Sequence, residues 1–454
     1  MMSEQRRWLK QRVASGSTVW FAGAQDALSA LLVDQSDFDG VFTTGFGISA
    51  ALLGQPDMEL YTLSENLYRA YLATGDTRFR EFGDVWRYDA YWSRFLETSR
   101  PAVLRVHAYS HVNSFCGLPL AYAVSGDARR LQMARNAFDF VHGSQMFATG
   151  GFGPGERLVG YAGDLGRSLE LHADTAEVPC GSWAGFKLSR YLLNYSGEAR
   201  YGDWIERLVY NGIGAALPMR GDGETFYYGD YRTGGGTRSY LWDRWPCCSG
   251  SYIQAVADYV NLIYFRDSAG LFVNLFVPSE VSWTHNGQPV KLTQETDYPE
   301  TGEVRMRIES SAPFTAAIRF RVPDWASGLR AEVNGEPAAL KARPSTWAAI
   351  ERGWRDGDRI VLRVPLSLRA EPVDARHPDR VAILYGPVVL VEDLRFNLGL
   401  QMTPGRHSTT DLAARLRPEK GHPLRFEVID PPSQVGSGAE PRAAFDEDAI
   451  ADDM

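Results

Sequence analysis

Three stretches of this chain repeat one pattern. "YRAYLATGDTRFREFGDVWRY" runs from Tyr68 to Tyr88, "LAYAVSGDARRLQMARNAFDF" from Leu120 to Phe140, and "SRYLLNYSGEARYGDWIERLVY" from Ser189 to Tyr210. In each, an apolar-periodic helix meets Gly-Asp or Gly-Glu, an Arg follows two residues on, and a second amphipathic helix begins. Gly75, Gly126 and Gly197 suit the left-handed position that ends a helix. Asp76, Asp127 and Glu198 then place negative charge where the next helix starts. A helix hairpin that cannot bury its own apolar face must stack on its copies. The glycines stand 51 and then 71 residues apart. That uneven spacing fits an (α/α)-barrel, a toroid of hairpins with insertions, better than a regular solenoid.

After Phe265 the periodicity changes. "LFVNLFVPSEVSW" (271–283), "EVRMRIES" (303–310), "TAAIRFRVPDW" (315–325), "RIVLRVPLSLR" (359–369) and "RVAILYGPVVLVEDL" (380–394) alternate or run apolar. Turn pairs such as Asn286-Gly287, Asn334-Gly335 and Asp356-Gly357 separate them, which reads as a β-sandwich. The front of the chain fits neither pattern: "STVWFAGAQDALSALLVDQSDFDGVFTTGFGISAALLGQPD" reads strand, helix, strand and Gly-rich loop, a βα unit without a sequel. Four segments are therefore expected. They are a βα fragment at 1–58, an (α/α)-barrel at 59–266, a β-sandwich at 267–396, and a poorly defined, partly disordered acidic tail at 397–454.

With 454 residues the chain can bury more than one core. Its formal charge of -9 argues against nucleic acid as a partner. Twelve Trp, 21 Tyr and 22 Phe give slight support to a sugar ligand, since flat rings suit sugar faces but also fill ordinary cores. No run reaches the ~18 apolar residues of a membrane span, and "MMSEQRRWLKQRVASGS" lacks the apolar region of a signal peptide. Four cysteines make no disulfide framework. The expectation is a reduced, cytoplasmic protein of unassigned oligomeric state.

Two of those cysteines adjoin, in "DRWPCCSGSYIQAVADY". Cys247 and Cys248 can be inert small hydrophobes, a strained vicinal disulfide, or metal ligands whose partners lie far off in sequence. Cys180 in "AEVPCGSW", with Glu177, would complete a tetrahedral zinc set. Zinc would serve structure alone, or also keep a nucleophilic thiolate deprotonated, where an isolated thiol titrates near ~8.5. Cys116 in "HVNSFCGLPL" reads as core. Glu156 in the Gly-rich "ATGGFGPGERLVG" is a candidate general acid, against the plainer reading of a solvated loop carboxylate. His111 and His107, four apart, would share a helix face able to bind metal, but no HExxH pattern accompanies them. No Walker or dinucleotide motif is present.

From about Glu59 to Leu394 these segments together resemble the family 127 glycoside hydrolases, the β-L-arabinofuranosidase group. "ELYTLSENLYRAYLATGD", "ATGGFGPGE", "EVPCGSWAGFKL", "YGDWIERLVYNG" and above all "WPCCSGSYIQAVADYVNLIYF" carry the resemblance. It implies an (α/α)-barrel with β-sandwich domains after it, and Zn2+ held by one Glu and three Cys. Cys247 would be nucleophile and ligand, Cys248 and Cys180 further ligands, Glu156 the acid/base, and His111 a sugar contact. Glu177 would be the carboxylate ligand, although Glu177-Val178-Pro179-Cys180 is one residue longer than the Glu-x-Cys the family leads one to expect. The mechanism implied is two-step retaining hydrolysis.

Residues from about Trp8 to Asp57 look like the first βα units of the phosphoenolpyruvate mutase/isocitrate lyase superfamily. Fifty residues of an eight-stranded barrel cannot build its site. The join near "PDMELYT" implies a glycosidase whose first helices were exchanged for a barrel fragment, so weak activity is expected. The alternatives are a carbohydrate-binding or structural protein stapled by zinc, and, on the front segment alone, a C–C or C–P lyase.

Overall fold

A computed structural model describes residues 15, 21–24, 40–43, 63–101, 106–160, 164–172, 174–216, 225–231, 238–239, 247–391 and 415–429. Its helices are α1 (Leu63–Thr74), α2 (Thr77–Val85), α3 (Ala108–Phe115), α4 (Gly117–Ser125), α5 (Ala128–Ser144), α6 (Asp164–Leu171), α7 (Val178–Ser196), α8 (Arg200–Leu208) and α9 (Cys247–Asp258), with short single turns between some of them. The three repeats are the hairpins α1–α2, α4–α5 and α7–α8. At their corners Gly75, Gly126 and Gly197 have φ of 73°, 73° and 71°, as a left-handed helix end requires. Asp76 and Asp127 cap the next helix, accepting the N–H of Arg78 at 3.0 Å and of Arg129 at 3.1 Å. The same arginines turn back to grip the capping carboxylate through Nε, which explains their fixed place in the pattern. Glu198 instead pairs with Arg200 and Arg135. A hydroxyl completes each corner: Thr74, Ser125 and Ser196 accept the N–H of the acidic residue at 3.2 Å. The full signature is Thr/Ser-Gly-Asp/Glu-x-Arg, one position longer than expected.

Aromatic rings fill the helical core. Trp92, Trp204, Phe95, Phe115, Phe138, Phe140 and Phe186 are all buried there, so much of the aromatic bias serves packing rather than ligand. No helix among the described residues is long and apolar enough to cross a membrane.

Beyond α9 the chain is β-rich. One sheet runs in the order Glu336–Ala338, Arg330–Val333, Arg359–Arg363, Glu303–Ser310, Gln288–Thr296, Ser279–His285. Another runs Thr346–Trp354, Phe314–Val322, Gly270–Val273, Tyr264–Asp267. Leu292, Val304 and Ile360 of the first share a core with Val273, Ile318 and Phe320 of the second. Asn286-Gly287 and Asn334-Gly335 have positive φ at both residues, as two-residue hairpins demand. Asp356-Gly357 behaves differently, carrying the chain from the second sheet to the first.

Two expected strands are divided. "LFVNLFVPSEVSW" divides between Val273 and Ser279, with Pro278 in the gap, as the chain passes from one sheet to the other, and "RIVLRVPLSLR" divides around Pro365, where a missing N–H weakens a ladder. Leu368–Pro372, Val381–Tyr385 and Val388–Leu390 form a separate sheet. A hairpin of Leu416–Glu419 and His422–Val428 packs on it through Leu416 and Phe426, so part of the expected tail is ordered β structure. At the front, Phe21–Ala24 pairs in parallel with Gly40–Thr43. The helix expected between them, and most of the segments 1–58 and 397–454, lie outside the described residues.

α8 joins the two halves. Arg321, wholly buried, donates to Asp203 and Glu206 at 2.7 Å each and to the Asn274 carbonyl at 2.9 Å. Tyr298 and Trp325 also donate to Glu206, and Ser345 to Asp203. Gly202 permits this close approach: an added Cβ would stand 2.1 Å from Asn274 Oδ1 and 2.5 Å from Arg321 Cδ, so both side chains would have to move.

Candidate active site

The adjacent cysteines open α9, and Cys180 lies in the first turn of α7. Glu177 holds the N-cap position of α7, but its side chain makes no capping bond and is left free to face the thiols. Side chains at a helix cap and three residues on lie side by side, so the longer Glu-x-x-Cys spacing still brings carboxylate and thiol together. Two helix N-termini thus converge, and their positive ends favour thiolate and carboxylate. Cys180 Sγ is 3.6 Å from Cys247 Sγ, and Glu177 Oε1 is 3.7 Å from the sulfurs of Cys247 and Cys248. All four donor atoms lie within 4.8 Å of one another.

These distances pass a simple test for a metal. Ligands ~2.3 Å from a tetrahedral zinc stand about 3.8 Å apart, close to the separations seen. The donor set, three sulfurs and one carboxylate, is of the kind zinc takes. All four cysteines are free thiols, which excludes the vicinal disulfide in this structure. Thiol hydrogen bonds from Cys180 and Cys248 pull Cys247 down to about 3, whereas burial pushes Cys180 and Cys248 up. Burial, then the charge of Cys247, raises Glu177 to about 8. Cys247 thus carries the most thiolate character. Ser251, one turn along α9, hydrogen-bonds with Cys180 Sγ at 3.0 Å.

Glu156 comes from a loop in tension. Its φ is 59°, a left-handed backbone that a side chain adopts only at a cost of about 1 kcal/mol or more. Neighbouring segments impose it. Arg157 bridges His107, Leu158 N–H donates to the Val106 carbonyl at 2.9 Å, and Gly155 N–H to that of Asp174 at 2.6 Å. A Cβ on Gly153 would stand 2.1 Å from that of Ala108. So held, Glu156 Oε2 lies 3.5 Å from His107 Nε2, and Tyr228 donates to Oε1 at 2.6 Å. The hydrogen bond from His107, with that from Tyr228, keeps this carboxyl well below its usual range, at about 2.

Two tyrosines that the sequence did not single out tie the cluster together. Tyr228 pairs with Glu177 in a small sheet of Ala176–Glu177, Tyr228–Gly229 and Arg238–Ser239. Its neighbour Tyr227 places its hydroxyl 3.3 Å from Cys247 Sγ. The aromatic run "FYYGDY" was the available signal, but nothing local says which distant strand it joins.

The two histidines part company. His107 is the cap of α3 rather than a helical residue, and its ring turns to Glu156 and Glu177. His111 points into the core at 1% exposure, ringed by Tyr91, Phe95, Phe115 and Phe140 and hydrogen-bonded to the Tyr91 hydroxyl at 2.7 Å. Burial lowers it to about 3. The expected His107–His111 metal pair is therefore not formed, and His111 has no open face to offer a sugar. Cys116 is wholly buried, away from the other thiols.

Comparison with known proteins falls along the same divisions. Residues 39–261 match the family profile described as "Beta-L-arabinofuranosidase, GH127 catalytic domain", and residues 270–366 match the "GH127 middle domain". The non-reducing end β-L-arabinofuranosidase of Bifidobacterium longum subsp. longum is 23% identical over 344 residues, 69% of this chain and 49% of that protein. The chain thus spans about half the length of that relative. A shorter similarity, 39% over 89 residues and 17% of the chain, is to the 2,3-dimethylmalate lyase of Eubacterium barkeri, 31% of which is covered. Among solved structures, a GH127 β-L-arabinofuranosidase from Geobacillus stearothermophilus T6 superposes with a TM-score of 0.60 at 23% identity, over 72% of this chain and 57% of that one. Another GH127 β-arabinofuranosidase gives 0.61 at 21%, over 72% and 55%. With one profile over the thiol-bearing helical domain and its companion over the sheets that follow, the chain belongs to glycoside hydrolase family 127.

Proposed function

We propose that this protein is a retaining glycoside hydrolase releasing β-L-arabinofuranose or a similar sugar, with Cys247 as nucleophile and Glu156 as acid/base. Its helical domain would close as an (α/α)-barrel, with Glu177, Cys180, Cys247 and Cys248 holding Zn2+. The observation that carries this reading is the pair of adjacent tyrosines: Tyr227 holds the Cys247 sulfur at 3.3 Å, while Tyr228 holds the Glu156 carboxylate at 2.6 Å. Nucleophile and acid/base are thereby fixed to one two-residue segment. The names of the relatives support the choice of sugar.

When bound, the ion would keep the thiols deprotonated and ease departure of the Cys247 sulfur. Cys247 attacks the anomeric carbon as Glu156 gives a proton to the leaving oxygen, forming a thioglycosyl-enzyme. Glu156 then takes a proton from water, which displaces the sulfur and restores the starting configuration. At rest Glu156 is ionised by its bonds to His107 and Tyr228. To act first as an acid it must loosen them, as a sugar seated against His107 would cause.

Hydrolysis of an aryl β-L-arabinofuranoside, followed by NMR of the first-formed anomer, tests the proposal. The β-anomer and a dead Cys247→Ser variant are expected. An inverted product, or a Cys247→Ser variant as fast as the parent, would overturn it. A zinc-loaded, folded parent without turnover on any such glycoside would favour the carbohydrate-binding or structural alternative.

A further inference from the structure

Glu177 divides its carboxylate between two neighbourhoods. Oε1 faces the sulfurs of Cys247 and Cys248. Among the described residues Oε2 is buried without a hydrogen-bond partner, on a side chain only 5% exposed, and lies 4.0 Å from His107 Nε2. The donor atoms of His107, Glu156 and Glu177 all lie within 4.8 Å of one another. We propose that these three residues form a second, weaker divalent-cation site that shares Glu177 with the thiol cluster and inhibits the enzyme when filled. The inference rests on reading the thiol cluster as the first metal centre.

Three features support it. First, one imidazole and two carboxylates are donors that zinc accepts. The two separations from His107 Nε2, 3.5 and 4.0 Å, exceed the roughly 3.3 Å of a tight tetrahedral N/O set. The residues must draw inward to bind, which weakens the site. Second, His107 is already oriented. Its Nδ1 accepts the Ser110 N–H at 3.3 Å and lies 3.0 Å from the Ser110 hydroxyl, leaving Nε2 toward the carboxylates. When Nε2 takes a cation its proton moves to Nδ1, which gives up the Ser110 N–H and donates instead to the Ser110 hydroxyl, a second reason the site is weaker than the thiol cluster. Third, a single divalent ion does not neutralise three thiolates and a carboxylate, so the occupied first centre still attracts cations. A bridging carboxylate places paired ions about 3.5–4 Å apart.

Access separates the two sites. The side chains of His107 and Glu156 are 18% and 26% exposed, whereas Cys180 and Cys248 are each 1% exposed and only Cys247 of the three thiols is partly open. An ion at the outer site can exchange with solvent, and while there it occupies the Glu156 oxygens needed for proton transfer. Activity should therefore rise with the first equivalent of zinc and fall with the second.

The full chain, stripped of metal, is titrated with Co2+ and separately with Zn2+. The first equivalent of Co2+ should bring thiolate-to-metal charge transfer, and the second only ligand-field bands. Zinc retained in equilibrium dialysis should approach two per chain at high free zinc. His107→Ala should weaken the second equivalent at least tenfold while the charge-transfer band of the first persists, which also certifies folding. Glu156→Gln should do likewise. Zinc uptake that ends at one equivalent, or a second equivalent indifferent to both substitutions, overturns the second site. A first equivalent without thiolate charge transfer overturns instead the thiol centre on which it rests.

Discussion

At the junction of the two halves, Arg321 meets Asp203 and Glu206 through two 2.7 Å bonds, and Tyr298, Trp325 and Ser345 satisfy the same carboxylates. At the first turns of α7 and α9, among the described residues, Glu177 Oε1 meets thiols and Oε2 has no hydrogen-bond partner. Both clusters are buried and both contain carboxylates. One carries its own cation, and burial, which would lower Arg321, is outweighed by Glu206 and Asp203. The other gathers groups that become anions and supplies no cation among the sulfurs. Burying unpaired charge is costly, so a complete cluster reads as structure and an incomplete one as a place for something that arrives later.

Substitutions should separate the two, beginning with the largest effect. Cys247→Ser should lower kcat by about 10⁴-fold or more, since a nucleophile acts as a unit with its partners. Steady-state assays of zinc-loaded protein check this, with circular dichroism to show the fold is kept. Arg321→Met leaves two buried carboxylates unpaired and should cost about 3–5 kcal/mol in denaturant unfolding, with or without metal. Equal stability of this variant and the parent would break the contrast. Glu177→Gln should act in the opposite sense. Without metal it removes a strained buried acid and should stabilise the chelated protein by roughly 1 kcal/mol, while weakening zinc binding. If it destabilises the chelated protein as Arg321→Met does, the clusters are alike after all. The smallest effect belongs to Tyr228→Phe. Losing that donor raises the Glu156 pKa, so the alkaline limb of the rate profile, which needs the protonated acid, should move to higher pH.

The parts of this molecule legible in the sequence are those fixed by neighbours in the chain. The Gly-Asp-x-Arg corners could be read because cap, charge and left-handed glycine span four residues, whereas the hydroxyl at Thr74, Ser125 and Ser196 shows its part only in the folded corner. The thiols could be paired with Glu177 because helix geometry tolerates the longer spacing. Tyr227 and Tyr228 could not be found, since strand pairing between Tyr228 and Glu177, 51 residues apart, puts them there. The two histidines differ for a reason that spacing does not carry: His107 caps α3 instead of lying within it, so the two rings diverge. The strands divided near Pro278 and Pro365 show the remaining difficulty, where an apolar run says "strand" but only the ladder says which sheet.

The thiol centre also has a bearing on the order of assembly. Cys180 and Cys247 are 67 residues apart yet touch only because α9 docks its first turn against that of α7. The unfolded chain offers an ion no more than the adjacent pair of sulfurs, and the full donor set exists only once both helices have formed and docked. If the thiol cluster takes the metal proposed for it, capture would be a late event, and the appearance of the thiolate-to-cobalt band during refolding would be a clock for the moment α9 reaches its place.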